Sequence, residues 1–358
     1  MFSNVRRLES FRLLCKPLAV DLQLYSHTTL PMKRFLLVLR WSLLTILVLA
    51  VGTLVVAWFI DFRQTDEELL AEFRGQRIQP TVHYYHVKLG NEPARTIRFM
   101  ETPALPGDSA LPVVLFVHGA PSSLSFFNEF FKDTSLLSRA QLVAVDRPGY
   151  GYSDFGRVET SVVKQAKFLQ PLIDRYKNAP YLMVVGSSYG GSVSARLAMN
   201  NPGAVNHVVF VSSALGPGLE RTYPISHWVD TPLLRWGIPP LLRLANDEKL
   251  SHRKALEAIL PDWPKIKATI TMLHGQRDEL VYPTNVSFAQ QHLVNARVKQ
   301  FLLPENRHDI VFNKREYMTD ILLEILMHRV KSQEGKPKEM TLKDKKVAKG
   351  LYSSVMMR

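Results

Sequence analysis

The stretch Gly186 to Gly191, GSSYGG, is a G-x-S-x-G pattern with Ser188 at its centre. A serine hydroxyl becomes a useful nucleophile only when it is exposed, held still and given a base. The apolar, strand-type run Tyr181–Val185 leads into the pattern and the helix-type run Ser192–Met199 leaves it. Ser188 therefore falls on a sharp strand-to-helix turn that lifts its hydroxyl clear of a sheet. Gly186 and Gly190 are expected to be obligatory, because a side chain at either would collide across the turn, and Gly191 continues the run of small residues. The serine itself must adopt a sparsely populated backbone conformation, with the start of the next helix favouring negative charge beside it. The chemistry implied is nucleophilic catalysis by an oxygen.

The elements that would position such a turn recur along the chain. Leu111–Val117 is a continuous apolar run that ends in HGAP, His118 to Pro121. Gln141–Val145 ends in DRPGYGYSD, Asp146 to Asp154, and His207–Val211 ends in Ser212-Ser213-Ala214. Thr269–Leu273 ends in HGQRDELVYP, and Val298–Leu303 ends in PENRHD. Such runs read as strands buried on both faces. Helix-length segments such as Ser161–Tyr176 and Thr284–Leu293 lie between most of them. The alternation implies a mainly parallel α/β sheet flanked by helices, with functional loops at the carboxyl ends of the strands. Every motif quoted falls at such an end. Two earlier runs, Val82–Leu89 and Thr96–Glu101, are strand-like and joined around Gly90-Asn91.

HGAP, DRPGYGYSD, GSSYGG, HGQRDELV and NRHD, in this order over about residues 80–330, resemble the α/β-hydrolase superfamily. Within it, the chain is similar to single-domain serine esterases, haloperoxidase-like enzymes, carbon–carbon bond hydrolases and proline iminopeptidases. The resemblance implies a Ser-His-Asp triad in the chain order nucleophile, acid, histidine. Ser188 takes the first place, with Ser187 and Ser192 read as small packing residues. Asp278, after the fifth run, takes the second; its alternative reading is a turn aspartate. The other position the family uses for the acid, after the fourth run, offers only SSALGPG. His308 takes the third place, with Asp309 expected to cap the last helix. His118 and His274 are expected to shape loops. The resemblance also implies an oxyanion hole made by the backbone N–H groups of Ala120 and Tyr189. The aspartate nucleophile of epoxide hydrolases and haloalkane dehalogenases is not present, which disfavours those reactions. No metal or organic cofactor is implied.

Gly216–Lys267 is a long insertion with helix-type stretches at Ile225–Trp236, Pro240–Ala245 and Leu250–Leu260. It is expected to form a helical cap over Ser188. Trp228, Leu233, Leu234, Trp236, Ile238 and Leu241, with Phe126 and Phe127, would line an apolar acyl or aromatic pocket, or simply hold the cap to the body.

Outside the hydrolase-like region (residues 81–330) the chain changes character. Residues 1–34 read as a basic arm, and MKRFLLVLRWSLL from Met32 also reads as the start of an export signal. Trp41–Ile60 holds about 20 uncharged residues, one bilayer crossing. With Phe35–Leu39 it defines an expected transmembrane segment over residues 35–60, either a retained signal anchor or a cleaved signal. Lys33, Arg34 and Arg40 precede it and Asp61, Asp66, Glu67 and Glu68 follow, so the catalytic domain of this single-pass protein is expected outside the cytoplasm. Residues 61–80 read as an amphipathic stalk and 331–358 as a basic, disordered tail.

The formal net charge is +13, but residues 1–60 hold seven Lys/Arg against two acids and residues 331–358 eight against three. Charge confined to the ends argues against a nucleic-acid surface on the folded body. The single cysteine, Cys15, excludes an intramolecular disulfide. The expected partners are a small acyl substrate, lipid-like if the cap lies near a membrane, and the membrane itself through residues 35–60. Two other readings are an aminopeptidase of the proline iminopeptidase type, which would need a lid acid (Glu220, Asp230, Asp247 or Glu248) for a substrate amine, and a non-catalytic ligand receptor.

Overall fold

Continuous apolar runs dictate the core of this protein, whose computed structural model describes residues 29–59, 63–103 and 111–333. The expected arm before residue 29, the loop at 104–110 and the tail from 334 lie outside the described residues. The chain divides into two units, Met1–Ile60 and Asp61–Arg358.

Among its described residues, the first unit contains one helix, Thr29–Phe59, of 31 residues. Its stretch Met32–Val56 has a mean hydropathy of 2.3 and is long and apolar enough to cross a membrane. The helix begins earlier than the expected segment, so Lys33 and Arg34 fall in its first turns. At 1.5 Å per residue it measures about 46 Å, longer than a hydrocarbon core of about 30 Å. Thr45 and Thr53 return their hydroxyls to the carbonyls of Trp41 and Leu49, at 2.9 and 2.8 Å, and so present no unsatisfied donor.

In the second unit the apolar runs form eight strands: β1 Thr81–Val87, β2 Arg95–Glu101, β3 Val113–Val117, β4 Gln141–Val145, β5 Leu182–Ser187, β6 His207–Val211, β7 Thr269–Gly275 and β8 Val298–Leu303. They make one sheet in the order β1-β2-β4-β3-β5-β6-β7-β8. β1, β2 and β4 pair antiparallel, and every other pairing is parallel. Alternate residues feed opposite faces. Val113, Leu115 and Val117 pack with helices Val162–Tyr176 and Tyr189–Asn200, whereas Val114 and Phe116 pack with Phe127, Phe131 and Leu322. Strand order reverses at β3, from which the chain passes to β4 on one side and returns to β5 on the other. Loops at the carboxyl ends of β3 and β5 therefore part company, which opens a crevice between them.

The segment expected to be a stalk belongs to the body. Helix Asp66–Ala71 opens with a capping box between Thr65 and Glu68. Leu69 and Phe73, four residues apart on one face, are buried among Phe130, Phe131 and Met100. Asp66 pairs with the buried Arg98 at 2.8 Å and accepts from the Tyr84 hydroxyl at 2.9 Å. An amphipathic face this apolar is more stable covered than extended in water. Phe73→Ala is expected to destabilise the second unit by about 3 kcal/mol, measured by chemical denaturation; a change below about 0.5 kcal/mol would return the segment to a stalk.

Candidate active site

Ser188 follows β5 and immediately precedes helix Tyr189–Asn200, with φ 53° and ψ −122°. A non-glycine residue in the left-handed region is strained and persists only where its surroundings hold it. Here its N–H donates to the Val211 carbonyl at 3.0 Å. The glycines behave as the sequence requires. A Cβ on Gly186 would lie 2.7 Å from the Gly190 carbonyl oxygen, and one on Gly190 would run into the carbonyls of Val117 and His118. Gly191 is pressed in the same way against Ser213. The turn is thus wedged between the ends of β3 and β6.

The structure brings Ser188, His308 and Asp278 together. His308 Nε2 lies 3.0 Å from Ser188 Oγ, and His308 Nδ1 lies 2.8 Å from Asp278 Oδ2. The carboxylate can only accept, so Nδ1 carries the proton and Nε2 is left to accept from the serine hydroxyl. Asp278 is also the turn residue of its alternative reading, since its Oδ1 accepts from the N–H groups of Leu280 and Val281 at 3.0 and 2.9 Å. The one carboxylate thus bonds both the histidine and the turn. Its side chain is fully buried, whereas that of His308 is 25% exposed. Burial alone would raise the Asp278 pKa, but hydrogen bonds from His274 and His308 hold it well below the usual carboxylate range. Asp309 stands at the N-cap position of the short helix Ile310–Asn313 but makes no side-chain cap; its carboxylate accepts from the Asn313 amide instead.

Gly119 packs so closely against the serine that a Cβ there would lie 3.0 Å from Ser188 Cβ. The Ala120 peptide follows directly, and Tyr189 opens the helix, where first-turn N–H groups have no intrahelical acceptor. His118 shapes this loop. Its Nε2 accepts from the Arg147 N–H at 2.9 Å and its Nδ1 lies 2.7 Å from the Gly119 carbonyl. Burial, and then the neighbouring Arg147 charge, push its pKa well below the ordinary value, so it is neutral. His274 lies 2.9 Å from the Val281 carbonyl and 3.4 Å from Asp278, again in a loop-shaping place.

The cap departs from expectation in two ways. First, Pro240–Glu257 is one continuous helix, not two. Its inward stripe is Leu244, Glu248, His252 and Leu256, four residues apart, and the two polar members are buried with partners. Glu248 is paired with Arg147, and His252 Nδ1 lies 2.8 Å from Glu220. His252 Nε2 also lies 2.8 Å from Ser192 Oγ, so Ser192 does more than fill space. A polar residue repeating at four-residue spacing on an otherwise apolar stripe was the available signal. Secondly, four of the six cap residues expected to line a pocket are exposed: Trp228 by 66%, Leu233 by 78%, Trp236 by 74%, and Leu234 less so. Trp228 lies on the short helix Pro224–Val229, and Leu233 and Leu234 on Pro232–Arg235, which Trp236 ends; neither helix buries a residue. Ile238 and Leu241 are half-buried. Phe127 is core, while Phe126 stacks edge-on against the exposed Phe312 at 4.7 Å.

The four lid acids considered for an amine site all have cationic partners. Glu220 pairs with Lys249 and His252, Asp230 and Asp247 with Arg235, and Glu248 with Arg147.

Residues 112–237 match the family model described as the alpha/beta hydrolase fold. A 1-acylglycerol-3-phosphate O-acyltransferase of Arabidopsis thaliana is 30% identical over 122 residues, 33% of this chain and 28% of that protein. A mouse sn-1-specific diacylglycerol lipase is 30% identical over 107 residues, 30% of this chain and 34% of that protein. The chain thus matches about a third or less of the length of these curated relatives. Among solved structures, the peroxisomal alpha-beta-hydrolase Lpx1 of Saccharomyces cerevisiae superposes with a TM-score of 0.56 at 11% identity, over 78% of this chain and 96% of that one. With its eight-stranded, mostly parallel sheet and this match, the chain has the α/β-hydrolase fold.

The depressed Asp278 pKa makes a pH prediction. A carboxyl whose folded pKa lies below its unfolded value of about 3.9 stabilises fully above that value and loses this as pH falls towards the folded pKa. The stability deficit of Asp278→Asn against wild type should be constant from pH 7 to pH 5 and shrink by pH 3. A deficit that grows on acidification would contradict the assignment of its charge state.

Proposed function

We propose that the protein is a membrane-anchored serine hydrolase that cleaves acyl esters through an acyl-enzyme. The observation that carries this reading is the Ser188–His308–Asp278 chain of hydrogen bonds, 3.0 and 2.8 Å, built on a strained turn. In it, His308 Nε2 takes the proton of Ser188 as Oγ attacks the acyl carbon, and returns it to the leaving alcohol. Asp278 holds the tautomer and stabilises the imidazolium. The amides of Ala120 and Tyr189 receive the oxyanion. Water, activated by His308, then releases the acid.

Two features favour an apolar, lipid-like acyl substrate. The cap carries Trp228, Leu233 and Trp236 outward, where a soluble substrate would find little use for them. Matched relatives include a diacylglycerol lipase and an acyltransferase of glycerol lipids. The helix Thr29–Phe59 supplies the anchor in this reading, with the catalytic unit on the extracytoplasmic side. An aminopeptidase is less well supported, since each candidate acid for a substrate amine already has a cation.

A fluorophosphonate probe is expected to label wild type and not Ser188→Ala, and that substitution should lower turnover of a p-nitrophenyl ester at least about a thousandfold. Activity retained by Ser188→Ala would sink the mechanism. Removal of residues 1–60 should shift the protein from the membrane fraction to the soluble one; unchanged sedimentation with membranes would remove the anchor from this reading.

A further inference from the structure

Arg147, in the DRPG loop after β4, is fully buried and uses all five of its N–H donors. Nε donates to the His118 carbonyl at 2.8 Å and Nη2 to the Gly119 carbonyl at 2.9 Å. The Glu248 carboxylate takes one bond from each terminal nitrogen, at 2.6 and 3.0 Å, and Gln165 takes the fifth at 2.8 Å. Glu248 is equally enclosed, and the Tyr150 hydroxyl and Gln165 amide donate to it at 2.6 and 2.7 Å. Nothing in the cluster is left unpaired. A fork-to-fork pair with every partner satisfied is the geometry in which buried charges stay rigid.

What this pair grips is one particular peptide group. The Gly119 carbonyl and the Ala120 N–H belong to the same planar unit and point in opposite directions. The guanidinium on the carbonyl side therefore fixes where the N–H points. It also polarises the peptide, which makes that N–H a better donor. Tyr189, whose N–H is the second expected donor, is held by the same arginine. The guanidinium lies 4.5 Å from the Tyr189 ring centre on one contact, and His252 of the cap helix stacks on that ring at 4.2 Å. Arg147 thus holds the Gly119–Ala120 peptide directly and packs on the Tyr189 ring, and Arg147 itself leans on the cap.

We infer that Glu248 and Arg147 are positioning residues for the oxyanion hole, so that the seated cap helix Pro240–Glu257 sets transition-state binding at Ser188. The inference rests on the serine mechanism proposed above. It makes the base of the cap a fixed part of the catalytic machinery, with the exposed helices Pro224–Val229 and Pro232–Arg235 left as the part free to meet substrate.

The test uses the full-length protein and p-nitrophenyl butyrate, with a trifluoromethyl ketone as a tetrahedral-state mimic. Glu248→Gln should lower kcat about tenfold to a hundredfold, leave KM within about twofold, and weaken the ketone by the same factor as kcat. Glu248→Asp, which keeps the charge, should recover most of the loss. If Glu248→Gln does not fold, Arg147→Met combined with Glu248→Leu removes both charges at once, and the same kcat and ketone losses are expected. A folded variant of either kind with kcat and ketone affinity within about twofold of wild type would overturn the inference. So would a loss confined to KM, which would make Glu248 a substrate-pocket residue. Ser188→Ala runs beside them: activity surviving there defeats the serine mechanism itself, whereas Ser188-dependent activity that ignores Glu248 defeats this inference alone.

Discussion

The candidate site depends on the tight contact between the end of β3 and the turn after β5. Gly190 sits so tightly on the carbonyls of Val117 and His118 that no side chain fits. Because strand order reverses at β3, the loops leaving these two strands diverge and open a crevice between them. The strained φ of Ser188 is the local cost of standing the serine there. It is offset by the β5 pairing on both sides and by the bond from its N–H to Val211.

The rest of the second unit supplies what that meeting point lacks. β7 ends in the turn that Asp278 closes with its own carboxylate, and β8 delivers His308. The insertion between β6 and β7 divides into two parts of different character. One is a helix whose polar stripe is locked into the DRPG loop; the other is a pair of short helices that bury nothing of their own. Rigidity and exposure are thus separated along fewer than fifty residues of chain.

Much of this was legible from residue types alone. All eight strands were readable, because parallel strands buried on both faces leave continuous apolar runs, and the β1–β2 hairpin announced itself by its Gly90-Asn91 turn. Ser188, Asp278 and His308 were legible because each sits at a strand end in a motif of its own. The Arg147–Glu248 pair was not, since its partners are 101 residues apart and neither spacing nor composition relates them. The cap helix was read as two stretches parted at Asn246–Lys249, yet these residues continue the helix and Glu248 among them meets a buried cation. The apolar cap residues misled for the opposite reason: hydrophobicity signals a preference for leaving water, not which surface will provide the shelter.

Ser192, one turn along the same helix, repeats the spacing of the candidate site in miniature. Its hydroxyl lies 2.8 Å from His252, which lies 2.8 Å from Glu220. A search for serine, histidine and acid at the proper distances would return both constellations. Yet Ser192 lies in the helix interior, sealed from solvent, and its Oγ sits 2.6 Å from the Ala214 carbonyl, an acceptor ready for its proton. Two serines four positions apart, each beside a histidine and an acid, thus differ in backbone posture, in access and in where the hydroxyl proton goes. Triad-like distances are cheap in a folded chain, and what singles out a reactive serine is the turn that brings it to the surface.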